Sequence, residues 1–542
     1  MKQLVGGAAA VIAAVAFGSV TGMAGTGGPV HLNCSESTAL CAEPLDSIGY
    51  GNEYTGHDEP SLLFYSNTPG SGNSNFYQLR LPTDPKKPPT QDGLGPTWNF
   101  QLHPAFWLGM ALCDNQSAPE FTHAPCTPDS DTNIFDGTNP AGPDYIGKHP
   151  GTAFLELQFY PPGWARWPLG VSCDPTKWCA AMAIFSYSAD MNSNTLNNNA
   201  CLAQVGVEPV NFAFVTKSGV PHAPPSPLAA TLATFTPNAA SDLFMSSGDQ
   251  LTIDIHDGPA GLTAVIHDLT TGETGSMTAS AANGFAQVLF QPTAATCNQA
   301  PYIFRPMYAT SSEHTRVPWA AHSYNVAFSD EIGHFEYCSA VNEEGGGCLS
   351  NAEGVDDDDV GCFDAAFSLS AQVGGCIGTD TDFDGVSYGA NWPGTGGKKG
   401  NKPTSILFTS PLFNGTENYS RVAFETDLPR IEAADYGGNC NRTTGANCVN
   451  PPPGADFYPI YSTALVEFAQ NDDNQGDQQG PPKRCVWQLG GTDIAGTTNT
   501  FGGNSTAEYG SLLFSFYPSP NPAVRLRTNN FRKVLAINPC PA

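Results

Sequence analysis

Hydrophobic and polar positions alternate most regularly over 152–160, TAFLELQFY, which runs into PPGW. Ala153, Leu155, Leu157 and Phe159 fall on one side, and Thr152, Phe154, Glu156, Gln158 and Tyr160 on the other. This predicts a strand with one buried face. Its second face sets a carboxylate two positions from a carboxamide, framed by the rings of Phe154 and Tyr160 and followed by Trp164 and Trp167. A sheet that holds a polymer presents such a strip, and so does an ordinary amphipathic strand. Over 98–103 the same period puts Asn99, Gln101 and His103 on one side and Trp98, Phe100 and Leu102 on the other, until Pro104 breaks it. Were this segment to pair with 152–160, Gln101 and His103 would line the polar face of Glu156 and Gln158.

Further strands are predicted at 61–66 and 76–81, separated by the turn-forming TPGSGNSN, and at 179–187, 210–215, 249–257, 262–270 and 284–290. In LTIDIHDG, Leu251, Ile253 and Ile255 point inward, while Thr252, Asp254 and His256 point outward, which makes His256 a solvated residue. HDLTTGETGSMT has the turn chemistry of a hairpin. Beyond 403, strands are expected at 405–409, 421–427, 484–489 and 511–517, with a short helix over 529–537. The fold class is mainly β: a jelly-roll or β-sandwich domain with disulfide-stapled loops and an acidic calcium-binding insertion.

Composition sharpens this picture. A chain of 542 residues exceeds one compact core, and 57 glycines with 46 prolines favour a loop-rich β architecture. The boundaries read as a signal peptide at 1–24, an irregular region at 25–97, the sandwich at 98–338, the acidic Cys-rich insertion at 339–402 and a β-rich region at 403–542. Lys2, the apolar run from Leu4 to Val20 and the small residues around Ala24 are the parts of a secretory signal. No later apolar run is long enough to span a bilayer, so the protein is expected to be secreted, with no membrane span after cleavage. Sixteen cysteines, an even number and mostly close neighbours in sequence, agree with an oxidising compartment, and the absence of CxxC knuckles argues against zinc. A net charge of −29 makes nucleic acid a poor partner.

Trp107-Leu108-Gly109, then FLELQFYPPGW, then SGDQLTIDIHDGPAGLTAVIHDLTTGETGS resembles the secreted glutamic peptidases over about residues 98–290. The resemblance implies a concanavalin-like jelly roll of two curved sheets. That family works with a Gln and a Glu on the concave face, the Glu on a strand after the hairpin. At the matching place this chain reads GFAQVLFQPTAAT, without a Glu. The resemblance therefore implies a fold and not the catalytic pair.

Two other stretches carry chemistry. His314, His322, His334 and Glu336 offer imidazole and carboxylate ligands that suit a transition metal. If 321–328 and 333–338 form a hairpin, His322 and His334 lie about 20 Å apart at about 3.4 Å per residue. Smaller sets then remain: His334 with Glu336, or His314 folded back on His322 at Pro318. The second stretch, Asp380-Thr-Asp382-Phe-Asp384-Gly385, matches the start of a calcium loop, with Asn391 where a bidentate Glu is expected. Calcium there would be structural.

The leading function is an extracellular hydrolase acting on a polymer, polysaccharide or peptide, with Glu156 as general acid or nucleophile and Gln158 polarising an oxyanion. Glu425 and Asp427 are the guess for a second carboxylate. The alternatives are a non-catalytic carbohydrate-binding or cell-surface protein, and a transition-metal enzyme centred on His314–Glu336. The expected partner is an extracellular polymer or surface glycan.

Overall fold

The computed structural model describes residues 61–66, 72–81, 106–117, 131–132, 152–160, 173–174, 176–190, 195–306, 308–311, 314–323, 338–341, 348–351, 406–413, 417–419, 421–428, 461–467 and 483–489. It also describes short stretches between 511 and 540. The protein is mainly β, in antiparallel sheets. The labelled strands are β1 Ser61–Ser66, β2 Gly72–Arg80, β3 Phe106–Cys113, β4 Thr152–Tyr160, β5 Lys177–Ser186 and β6 Val210–Phe214. After them come β7 Met245–Ser246, β8 Gln250–Gly258, β9 Gly261–Asp268, β10 Thr274–Thr278 and β11 His314–Ser323. The last are β12 Leu407–Phe408, β13 Arg421–Leu428, β14 Tyr461–Glu467, β15 Lys483–Leu489, β16 Ser511–Phe514 and β17 Asn529–Leu535.

The larger sheet has the order β7-β5-β4-β3-β11-β1-β13-β17-β16, with β6 also on β5; the second runs β10-β9-β8-β2-β12-β15-β14. Strands far apart in sequence are thus neighbours. β1 lies between β11 and β13, and β2 between β8 and β12.

Alternation explains why the sheets stack. Leu155, Leu157, Met182, Ile184, Leu108 and Met110 on the large sheet meet Leu251, Ile253, Ile255, Ile266 and Trp487 on the other in one apolar cluster, all of them closed to solvent. At about 25 cal/mol per Å² of apolar area, this burial is the main source of stability. The inward and outward assignment of LTIDIHDG holds for Leu251, Ile253 and Ile255. Thr252 is nonetheless fully buried, and His256 is half-buried, its Nδ1 3.3 Å from Asp254 Oδ1. Asp254 and His256 keep their outward places, 39% and 37% exposed at the side chain, and the His256 pKa is raised, first by the hydrogen bond to Asp254.

The β9–β10 hairpin forms as its turn residues dictate. Asp268 Oδ1 accepts from Thr270 N at 2.9 Å and Thr271 N at 3.2 Å, and Gly272 takes φ 78°. The helix expected over 529–537 is a strand instead. Asn529–Leu535 pairs with β13 on one edge and β16 on the other, so long-range partners override a local spacing that also suits a helix. Cys173–Cys179, Cys201–Cys297 and Cys485–Cys540 are disulfides, and among the described residues no helix is long and apolar enough to cross a membrane.

Candidate functional site

The second face of the large sheet is organised around β4. Gln158 Nε2 donates to Glu156 Oε2, and the Tyr160 hydroxyl donates to Gln158 Oε1. The three side chains form a relay that runs from a buried phenol to a half-buried carboxylate: Tyr160 and Gln158 are each 3% exposed, and Glu156 is intermediate. Burial first, and the charge of Glu156 second, push the Tyr160 pKa well above its usual value, so the phenol stays a donor. Successive donation of this kind polarises each member of the chain.

The surroundings come from neighbouring strands in register. Beside Glu156 lie Gly109 on β3 and Ala183 on β5, followed by Phe212 on β6; beside Gln158 lie Trp107, Ala181 and Phe214. Small residues thus flank Glu156 on both sides, Gln158 has Ala181 on one side and Trp107 on the other, and Phe212 and Phe214 stand beyond the alanines. Trp107 and Phe154 meet edge to face at 5.4 Å over Gly109. A β-carbon at 109 would sit 2.5 Å from the Leu155 carbonyl oxygen and 2.6 Å from the Trp107 ring, so only glycine fits. Tyr160 packs on Phe212 and Phe214 at 6.3 and 6.5 Å. Phe154 is 8% exposed, so the contacts of both framing rings are with the protein itself.

Register places the other candidates. His322 is opposite Trp107, which is opposite Gln158; at about 4.8 Å per strand its backbone is about 10 Å from that of Gln158. His314 and His322 lie at opposite ends of the single strand β11, about 27 Å apart at about 3.4 Å per residue. The fold-back at Pro318 therefore does not occur, and the two cannot share an ion. Pro318 is opposite Leu63 of β1, and the partner on the other edge of β11 changes on either side of it, so the proline sits at a break in that ladder. Glu425 falls in the same row as Glu156, through Ser61, Ala320 and Gly109, but four strands away. That is about 19 Å between backbones, too far for two carboxyls about 5–9.5 Å apart across one glycosidic bond.

Gln101, His103, Trp164, Trp167, His334 and Glu336 lie outside the described residues, as do Asp380, Asp382 and Asp384 of the calcium loop. Among the described residues no group of three or more His, Cys, Asp or Glu could hold a metal ion. Trp107, Gly109, Ala181, Ala183, Phe212 and Phe214 were not singled out by sequence. Ala181 and Ala183 sit in KWCAAMAIFS, where both faces are apolar and alternation gives no signal.

No family model matches the chain, and no curated protein matches it, so the glutamic-peptidase resemblance gains no support from either. Among solved structures, the chain is similar to the enzymatically active domain of tailspike protein 2 of bacteriophage CBA120. The identity is 13% over 46% of this chain and 23% of that one, with a TM-score of 0.16. The chain thus spans about a quarter of that protein's length, and at that TM-score the likeness carries no argument.

Proposed function

We propose that the protein is a secreted hydrolase of an extracellular polymer, with Glu156 as its reactive carboxylate. The observation that carries this reading is the relay Tyr160–Gln158–Glu156, which fixes a half-buried carboxylate from behind by donors that never ionise at ordinary pH. A carboxylate whose orientation is set in this way is suited to take a proton from water or give one to a leaving group. The amide nitrogen of Gln158 has two N–H bonds. One goes to Glu156, and the other would be the donor for an oxyanion formed beside it.

Among the described residues, the register neighbours of Glu156 and Gln158 out to β6 and β11 include no second carboxylate. A single carboxylate beside a carboxamide favours cleavage of a peptide bond over a glycosidic one, which ordinarily needs two. The disulfides support an oxidising compartment outside the cytoplasm. Calcium at Asp380, Asp382 and Asp384 is proposed as a structural clip.

The test is a screen of the purified protein against denatured proteins and polysaccharides, read for new ends. Release of peptides is expected. Reducing ends without peptides would move the bond type to a glycoside, and retention of a polymer without cleavage would make the face a binding surface and overturn the hydrolase.

A further inference from the structure

Where the chain passes from β7 of the large sheet to β8 of the second, two buried carboxyls meet. Asp268 ends the inward row of β9, opposite Leu251 of β8, and Asp249 lies two residues before Leu251. Leu81 N still donates to Asp249 O there, at 2.8 Å, so the ladder carries Asp249 to the same side as Leu251. Diagonal neighbours on one face of a sheet can touch, and the carboxyls of Asp249 and Asp268 are within hydrogen-bonding reach of each other. Asp249 is 5% exposed and Asp268 1%.

Their oxygens are unequally provided for. Asp249 Oδ2 accepts from Ser246 N at 2.5 Å. Asp268 Oδ1 accepts from Thr270 N and Thr271 N, the bonds that shape the β9–β10 turn. Asp268 Oδ2 is closed to solvent and has no hydrogen-bond partner. Carboxylates only accept, so neither supplies the other with a donor while both are ionised. Two like charges in contact and out of water call for a positive charge between them. Asp249 feels the charge of Lys177, but the Lys177 Nζ donates to Ser246 Oγ at 2.6 Å and leaves Asp268 Oδ2 without a donor.

We infer that Asp249 and Asp268 hold a calcium ion between them, with ligands other than those of the acidic loop Asp380–Asp384. Both side chains offer hard oxygens and neither an imidazole nor a thiolate, which favours calcium over zinc or copper. Backbone carbonyls and water complete the shell, as is usual for calcium. A chain with net charge −29 concentrates cations around it.

The ion ties two turns. One is Ser246–Asp249, whose first residue pairs with Lys177 of β5 in the large sheet. The other is Asp268–Gly272, which closes the β9–β10 hairpin of the second. The site is thus a clip between the sheets and is independent of any chemistry at Glu156. Without the ion the pair meets the same conflict by keeping a proton, and burial with the charge of Asp268 accordingly raises the Asp249 pKa.

The test uses the full-length protein carrying Asp380→Asn, Asp382→Asn and Asp384→Asn together, so that the acidic loop cannot give the response. Near neutral pH, about 10 mM calcium should raise its melting temperature by about 2 °C or more over the chelated protein, the response of a site with a Kd of about 1 mM. Asp268→Asn in that background keeps the oxygen that shapes the turn and sets an N–H in place of the unmatched one. It should melt no lower than its parent in chelator and lose the calcium response. In an otherwise wild-type chain, Asp268→Asn should remove one bound calcium per chain in equilibrium dialysis at that concentration. A calcium response or count unchanged by Asp268→Asn would overturn the site. So would a parent indifferent to calcium whose melting temperature follows pH alone, as a proton shared by the two carboxyls requires.

Discussion

The two faces of β4 are both largely closed to water, with Glu156 partly open on the second, and they differ in chemistry. Ala153, Leu155, Leu157 and Phe159 are 0–2% exposed in the apolar layer between the sheets; Gln158 and Tyr160, on the other face, are 3% exposed. The first face gains stability for each area it removes from water. The second gains from burial where Tyr160 packs with Ala181, Ala183, Phe212 and Phe214, but at 156 and 158 polar groups only recover by hydrogen bonding what desolvation costs them. A strand whose fold needed only a buried face would have aliphatic residues at 156, 158 and 160. That it carries a carboxylate, a carboxamide and a phenol in series, beside Gly109, Ala181 and Ala183, is the contrast on which the proposed function rests.

Substitutions should separate the faces. Leu157→Ala leaves a cavity between the sheets and should lower stability by about 2–5 kcal/mol in denaturant unfolding. Glu156→Gln should change stability by less than about 0.5–1 kcal/mol. Equal costs for the two would break the contrast. Gly109→Ala drives a methyl into the Leu155 carbonyl and the Trp107 ring and should cost about 1–3 kcal/mol, although it adds helpful volume by any area argument.

Tyr160→Phe removes the donor to Gln158 Oε1 and leaves a buried acceptor unmatched, at about 1–3 kcal/mol. The relay also requires it to lower activity more than its stability loss explains. Assays of the variant well below its melting point would show this.

The smallest effect is in pH. Asp249 is buried, with Ser246 N donating to its Oδ2 at 2.5 Å, and burial together with the neighbouring Asp268 raises its pKa. Asp114, which accepts from Ser186 Oγ at 2.7 Å and Gln287 Nε2 at 2.6 Å, is raised by burial as well. A carboxyl raised in the folded state adds stability that is complete below its unfolded value and is lost as pH climbs through the folded one. The melting temperature should therefore fall as pH rises out of the ordinary carboxylate range. Asp249→Asn should flatten that slope relative to wild type, the comparison that removes the background repulsion of a chain with net charge −29. An unchanged slope would remove Asp249 from the explanation.

How far sequence reached follows from these same residues. Strict alternation made β4 and β8 legible, and the LTTG turn made the β9–β10 hairpin legible, because each is a local rule. The relay was half visible for the same reason: Glu156, Gln158 and Tyr160 share one strand. Its walls were not, because Gly109, Ala183 and Phe212 meet Glu156 through pairings between strands far apart in the chain. The C-terminal strand β17 and the straight run of β11 through Pro318 were missed on the same account, since partners about 100 and about 250 residues away decide them.

The most direct test compares Glu156→Gln with the wild type on whichever polymer the wild type degrades, at matched melting temperature. Loss of a positioned acid–base carboxyl should lower kcat/KM by at least about 10²-fold while the melting temperature stays within a few degrees. Full activity in a folded Glu156→Gln protein would contradict the assignment and leave the polar face of β4 without a catalytic role.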